Sequence, residues 1–433
     1  MPKKTRRAQS VKSTKRLESS SRTATTARSK SKPPSAPRAR PKSGPRTGTT
    51  ARLQPFGTSV FAEMTRLAVE HRAINLAQGF PDFDGPPSII EAAHAAMRAG
   101  HNQYARSRGH LKLVRAIAAS RARFYGLTYD AETEVVVFSG ATEGIAACLL
   151  GLLGPGDEAV LFEPFYDSYP ACVALAGAKA RYVTLRFPDF AVTREALLAA
   201  VSPRTRVIVL NTPHNPTGKV WTRPELEMVA ELCRERDLVV LADEVYEHIT
   251  FDGATHIPVA SLPGMRARTI TLSSTGKTFS MTGWKVGWAV GPPHLIDAAQ
   301  AAHQFLTFAT ATPLQVAMAD ALESLSPTYY TELAADYLHR RDFLLEALAK
   351  AGFRVAVPRG TYFILADFSR LHDGDDREFT RWLVANHGIA AIPPSAFYAA
   401  DQGEGRRLVR FAFCKRLATL EAAAARLGAI GAR

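Results

Sequence analysis

From residue 135 onward, short apolar runs alternate with amphipathic stretches, and nothing else in the chain restricts its fold as strongly. The runs Val135–Phe138, Ala159–Phe162, Val207–Leu210, Leu238–Ala242, Thr269–Leu272 and Val286–Val290 are almost wholly apolar, so each reads as a strand buried on both faces. Between them, Glu143–Leu153, Ser168–Ala176 and Pro224–Arg236 space their apolar residues by three and four, the period of a helix. Such strands, separated by helices, predict an α/β fold with a mostly parallel sheet covered on both faces. Ligands of such sheets bind beyond the carboxyl ends of the strands, so the chemistry should lie just after each run.

Polar, turn-forming segments follow four of these runs. The first is Ser139-Gly140-Ala141-Thr142-Glu143-Gly144, whose small residues leave backbone N–H groups free at a positive helix end, an anion site by geometry. The second, Asn211-Thr212-Pro213-His214-Asn215-Pro216-Thr217-Gly218, is a rigid turn able to hold the Asn215 amide in one place. The third is Asp243-Glu244-Val245-Tyr246; a carboxylate at a buried strand end must be paired or shift its pKa. The fourth is Ser273-Ser274-Thr275-Gly276-Lys277, where burial would lower the lysine pKa toward a nucleophilic range. Each also has a plain reading: a strand–helix turn, a helix N-cap at Asp243, a solvated amine at Lys277. Their succession along one predicted sheet edge favours a shared site.

Charge separates the chain into two parts. Of 54 Lys and Arg and 40 Asp and Glu, residues 1–52 hold 16 and one. That leaves 38 basic and 39 acidic residues in a nearly neutral body, which is not the composition of a basic nucleic-acid-binding fold. Residues 1–52 contain too few large apolar side chains to offset their ordering entropy, so disorder is expected there. Four readings stand for this tail: a solvated segment with no dedicated role, a misassigned start codon, an arm making nonspecific contact with nucleic acid, and an organelle transit peptide. The prolines between Pro33 and Pro45 argue against an amphipathic helix in that stretch. Cys148, Cys172, Cys233 and Cys414 stand far apart without metal-ligand spacing. No metal site is expected, and four reduced core thiols fit a cytoplasmic location. No run of apolar residues is long enough to span a membrane.

Taken in order, Asn215-Pro216-Thr217-Gly218, Asp243-Glu244-Val245-Tyr246, Ser274-Thr275-Gly276-Lys277 and Gly283-Trp284-Lys285-Val286-Gly287-Trp288 resemble the class I/II aminotransferases, pyridoxal-phosphate enzymes of fold type I. The likeness runs from about Leu53 to the C-terminus. It looks closest to the kynurenine aminotransferase and bacterial methionine aminotransferase branch, on Asn75-Leu76-Ala77-Gln78-Gly79-Phe80-Pro81-Asp82-Phe83, Asn102-Gln103-Tyr104 and His303-Gln304-Phe305-Leu306-Thr307-Phe308.

The resemblance implies that pyridoxal 5'-phosphate is the cofactor and Lys277 its Schiff-base lysine, moving the proton afterwards. Asp243 would hold the pyridine nitrogen protonated. Asn215 and Tyr246 would hydrogen-bond the phenolic oxygen, and Tyr166, in preference to Phe165, would stack on the ring. Ala141 and Thr142 N–H groups, Ser274 and Lys285 would hold the phosphate, Lys285 standing where the aspartate-transaminating relatives carry Arg. Tyr104 would reach the phosphate of a neighbouring subunit, making a homodimer with shared active sites. Arg410 and the Gly79 N–H would take the substrate α-carboxylate, and Phe61 and Phe308 would line the side-chain pocket.

The implied reaction is ping-pong transfer of the amino group of an L-amino acid (methionine, aromatic or kynurenine-type) to a 2-oxo acid. N-succinyldiaminopimelate transamination and cysteine-conjugate β-elimination are alternatives on the same scaffold. A DNA-binding regulator would need a reading head that residues 1–52 cannot form. The expected organisation is a basic tail (1–52), an N-terminal arm joining the small domain (53–84), a large cofactor domain (85–325) and a small α+β domain (326–433).

Overall fold

The computed structural model describes residues 48–57, 59–399 and 403–430. The described residues from Thr49 onward form one compact unit. At its centre lies a seven-stranded sheet of β1 (Val135–Phe138), β2 (Glu158–Glu163), β3 (Lys179–Thr184), β4 (Thr205–Asn211), β5 (Val239–Asp243), β6 (Thr269–Ser274) and β7 (Gly287–Val290), in the order β1-β7-β6-β5-β4-β2-β3. Only β7 runs against its neighbours; the pairs from β6 through β3 are parallel.

Alternate residues of one strand enter opposite cores, because successive side chains of a strand point to opposite faces. Ile208 and Leu210 of β4 pack with Leu226, Val229 and Cys233 of the helix Arg223–Glu235. Val207 and Val209 face the other way, onto a core shared with the helices Ala141–Leu152 and Pro293–Leu306. Burial on both faces explains why these strands read as continuous apolar runs.

Strand β3 escaped that reading. It is one of the two edge strands and half-exposed along most of its length, so Lys179 and Arg181 stand where a buried strand would carry apolar residues.

The C-terminal part builds a three-stranded antiparallel sheet of Leu408–Ala412, Phe363–Asp367 and Arg354–Val355. Its core holds Phe363, Phe368, Phe379 and Phe411, packed with Tyr337 and Leu344 of the helix Pro327–Lys350. The N-terminal segment reaches this part: Ile74–Asn75 pairs in parallel with Ile389–Ala390.

The tail expected over 1–52 lies outside the described residues as far as 47. Leu53 N–H donates to Thr50 O, and the Arg52 guanidinium donates to Leu175 O. Among the described residues no helix is long and apolar enough to cross a membrane, and all four cysteines are buried free thiols.

Candidate active site

The carboxyl ends of β4, β5 and β6 converge on a cavity of about 300 Å³. Asn211 and Asp243 end adjacent strands in register. Asn211 Nδ2 donates to the Asp243 carbonyl at 2.8 Å, while its Oδ1 accepts from Asn215 N at 2.7 Å. One side chain thus links the two strand ends to the Asn215 turn. The Asp243 carboxylate accepts from Tyr169 OH at 2.6 Å and from Val245 N at 3.3 Å. Burial raises its pKa, and these two donors oppose the rise.

Its chain neighbour Glu244 faces another environment. Arg121, fully buried, bridges Glu244 at 3.1 Å and Glu247 at 2.5 Å. His256 Nε2 lies 3.1 Å from Glu244, and Ser273 Oγ donates to Glu247 at 2.6 Å. The carboxylates and His256 are grouped closely enough to suggest a metal cluster, but the Arg121 guanidinium already supplies their positive charge. The network holds the Asp243–Tyr246 turn against the helix Leu111–Tyr125.

Lys277 sits in the short helix Thr275–Thr278 after β6. Its Nζ lies 5.7 Å from the Tyr246 ring centroid and 5.6 Å from that of Tyr362. Burial pulls its pKa down to about 8, helped by Lys285 and Arg410 and opposed by Cys414 and Asp243. Thr275 donates to Val286 O through both its N–H and its hydroxyl, which folds the following loop back. Lys285, in the left-handed region at φ 55°, then comes beside Gly140. A Cβ on Gly140 would stand 2.9 Å from Lys285 Cε and 3.1 Å from its Nζ. Gly140 itself has φ 82° and precedes the helix Ala141–Leu152, whose N-terminus has no side-chain cap. A smaller cup opens here, lined by Gly140, Ala141, Thr142, Ser274, Lys277 and Lys285. The free first-turn N–H groups and an overhanging amine suit an anion.

Arg410 enters from the opposite side, on the strand Leu408–Ala412. It is buried, donating to Asn215 Oδ1 at 3.1 Å and to Ala77 O at 2.8 Å, while its Nε has no partner. Its guanidinium lies 4.2 Å from the Phe363 ring centroid and 5.3 Å from that of Phe61. Burial lowers its pKa to about 10, against the opposing influence of Tyr246 and Tyr362. Gly79 accepts from Tyr362 OH at 2.6 Å. A Cβ there would meet Phe363 at 2.7 Å, so only glycine allows this approach.

Of the residues singled out in the sequence, Phe61, Gly79, Ala141, Thr142, Tyr166, Asn215, Asp243, Tyr246, Lys277 and Arg410 line the cavity, and Ser274 and Lys285 line the cup. Tyr166, rather than Phe165, faces the cavity; Phe165 is buried against Tyr182. Tyr104 and Phe308 stand elsewhere. Their rings meet edge to face at 5.3 Å on the surface, so within one chain Phe308 does not line the substrate cavity.

Sequence reasoning missed Tyr169, Asn211, Tyr362 and Gln78. Tyr169 carried a usable signal, since it falls only three residues after Tyr166, just inside the helix Ser168–Leu175. Asn211 was legible only as a polar residue closing an apolar strand.

The model of the family "Aminotransferase class I and II" matches residues 71–427. A probable N-succinyldiaminopimelate aminotransferase of Mycobacterium tuberculosis is 48% identical, over 89% of this chain and 99% of its own. The methionine aminotransferase of Escherichia coli is 41% identical over 87% and 97%. The kynurenine–oxoglutarate transaminase of Dictyostelium discoideum is 40% identical over 85% and 93%. The solved structure of N-succinyldiaminopimelate aminotransferase from M. tuberculosis superposes with a TM-score of 0.86, covering 88% of this chain and all of that one.

Proposed function

The chain belongs to the class I and II aminotransferases, and from that premise we propose that it carries pyridoxal 5'-phosphate in the cavity and moves the amino group of an apolar or aromatic L-amino acid to a 2-oxo acid. The observation that carries this reading is the convergence of Lys277, Asp243 and Arg410 on one cavity, from β6, β5 and the C-terminal sheet.

The donor set fits the cofactor. The Gly140 cradle, the first-turn N–H groups, Ser274 and Lys285 would hold the phosphate. Tyr166 would cover a ring face, and Asn215 and Tyr246 would hold the phenolic oxygen. When bound, the cofactor supplies an aldehyde for the amino group and a ring that stores the electron pair left at Cα.

The chain's own residues do the rest. Asp243 keeps a proton at the ring nitrogen, and a buried carboxylate with raised proton affinity calls for such a cationic partner. Arg410 orients the substrate by its α-carboxylate, using the unpartnered Nε and the fork beside it, while the Gly79 N–H assists. Lys277 Nζ, neutral above about pH 8, takes the proton from the substrate Cα as general base.

Phe61, Phe80 and Phe363 line the substrate side, and among the described residues Arg410 is the one guanidinium lining it. This favours an apolar side chain over one with a distal carboxylate. The 48% identity to a probable N-succinyldiaminopimelate aminotransferase supports that substrate as the second reading. A homodimer completes the proposal, with Tyr104 and Phe308 contributing to the neighbouring site. Segments 53–84, 85–325 and 326–433 act as arm, cofactor domain and closing domain. The enzyme works in the cytoplasm, where its buried thiols stay reduced, and the basic tail offers nucleic acid a nonspecific contact.

A donor-by-acceptor panel tests the reading. Methionine, phenylalanine or kynurenine should give the fastest turnover. Preference for N-succinyldiaminopimelate would move the assignment to the second reading, and pyruvate and ammonia release from a cysteine conjugate would move it to β-elimination.

A further inference from the structure

His303 has no part in the mechanism above, yet it is fully buried on the helix Pro293–Leu306. Both of its ring nitrogens face oxygen. Nδ1 lies 2.7 Å from Glu143 Oε1 and Nε2 lies 3.0 Å from the Ser107 carbonyl. A carbonyl only accepts, so Nε2 carries a hydrogen. The contact with Glu143 needs a second proton, because a bare imidazole nitrogen and a carboxylate oxygen repel at that distance. Whether this proton rests on nitrogen or on oxygen, the pair is neutral as a unit. The edge of Phe138, 5.2 Å between centroids, closes one side of the ring, and Thr307 Oγ1 sits 3.2 Å from Nδ1.

The other oxygen of Glu143 accepts from Ser139 N at 2.8 Å. Glu143 also lies in the first turn of the helix that opens at Gly140. A carboxylate therefore shapes the very loop assigned to an anion, where its own charge would oppose phosphate binding. Ser107 follows Tyr104 by three residues and is tied to the same helix by Gln300 Nε2, 2.6 Å from Ser107 Oγ.

We propose that His303 is a positioning residue for the cofactor phosphate: by making a neutral unit with Glu143, it fixes the Ser139–Gly140 loop without placing a net negative charge beside the dianion. This rests on the assignment of the cup to the phosphate.

The test uses cofactor-free full-length protein, titrated with pyridoxal 5'-phosphate and with pyridoxal, which lacks the phosphate. His303→Gln leaves the Glu143 carboxylate without its proton donor. It should weaken the phosphorylated aldehyde about tenfold or more, leave pyridoxal unchanged, and weaken competition by inorganic phosphate. Adding Glu143→Gln to the same chain should restore most of the lost affinity. Glu143→Gln alone should stay within about threefold of the wild type, which serves if His303→Gln does not fold. Equal weakening of both aldehydes, a double variant no better than the single one, or a loss in Glu143→Gln as large as in His303→Gln would overturn the inference. A wild-type protein that binds both aldehydes alike would overturn the assignment of the cup, and the inference with it.

Discussion

The hydroxyl of Tyr169 stands 2.6 Å from Oδ2 of Asp243, and both groups are buried. Burial raises the proton affinity of the carboxylate, and this hydrogen bond lowers it. Tyr169→Phe therefore moves the Asp243 pKa upward, so the carboxylate takes up a proton at higher pH. A hydrogen bond to a charged group contributes about 1.5–3 kcal/mol, so the acid limb of kcat/KM against pH should shift up by about one to two units. An unmoved limb would mean that Tyr169 does not govern this carboxylate.

Arg410→Lys keeps the charge and loses the fork. With the unpartnered Nε gone, two-point capture of a carboxylate is lost. KM for the amino acid should rise about ten- to a hundredfold, while cofactor affinity stays within about twofold. Steady-state kinetics and cofactor titration read the two separately. A loss confined to cofactor affinity would contradict the assignment.

Arg121→Met would leave the Glu244 and Glu247 carboxylates buried without their guanidinium. Breaking a buried pair in this way costs about 3–5 kcal/mol, measurable by denaturant unfolding. Burial alone would raise the Glu247 pKa, but Arg121 prevails and holds it down to about 2. Its contribution to stability is thus full above the ordinary glutamate value of 4.5 and is lost as pH falls toward 2. In the variant that acid-dependent loss should shrink.

Tyr104 is 83% exposed and Phe305 is 84% exposed, unusual for aromatic side chains without a partner surface. If this face joins two copies, Phe305→Asp should yield a monomer by sedimentation and weaken cofactor binding about tenfold. A variant that stays dimeric with unchanged cofactor affinity would place the interface elsewhere.

Much of the central sheet was readable because its strands are buried on both faces, which forces apolar runs at Val135–Phe138 and Val207–Leu210. The polar residues closing those runs were readable for the same reason: Asp243 breaks an apolar strand at the point where it meets the cavity. Edge strand β3 was hidden by its exposure. The Arg410–Asn215 contact joins residues 195 positions apart, and the Tyr169–Asp243 bond depends on how a helix sits over the sheet. Neither follows from local pattern, because packing decides both. Phe308 shows the complementary limit, since a motif can name a residue that packing puts outside the cavity of its own chain.

The proposed reaction requires Lys277 and Asp243 to serve one cofactor. Protein reconstituted with pyridoxal 5'-phosphate should show a visible absorption band. Adding a donor amino acid without an acceptor should bleach that band and release about one 2-oxo acid per site; Lys277→Ala should retain cofactor but give neither change. A wild-type protein that takes up no cofactor, or whose band is indifferent to every amino acid, would contradict the account.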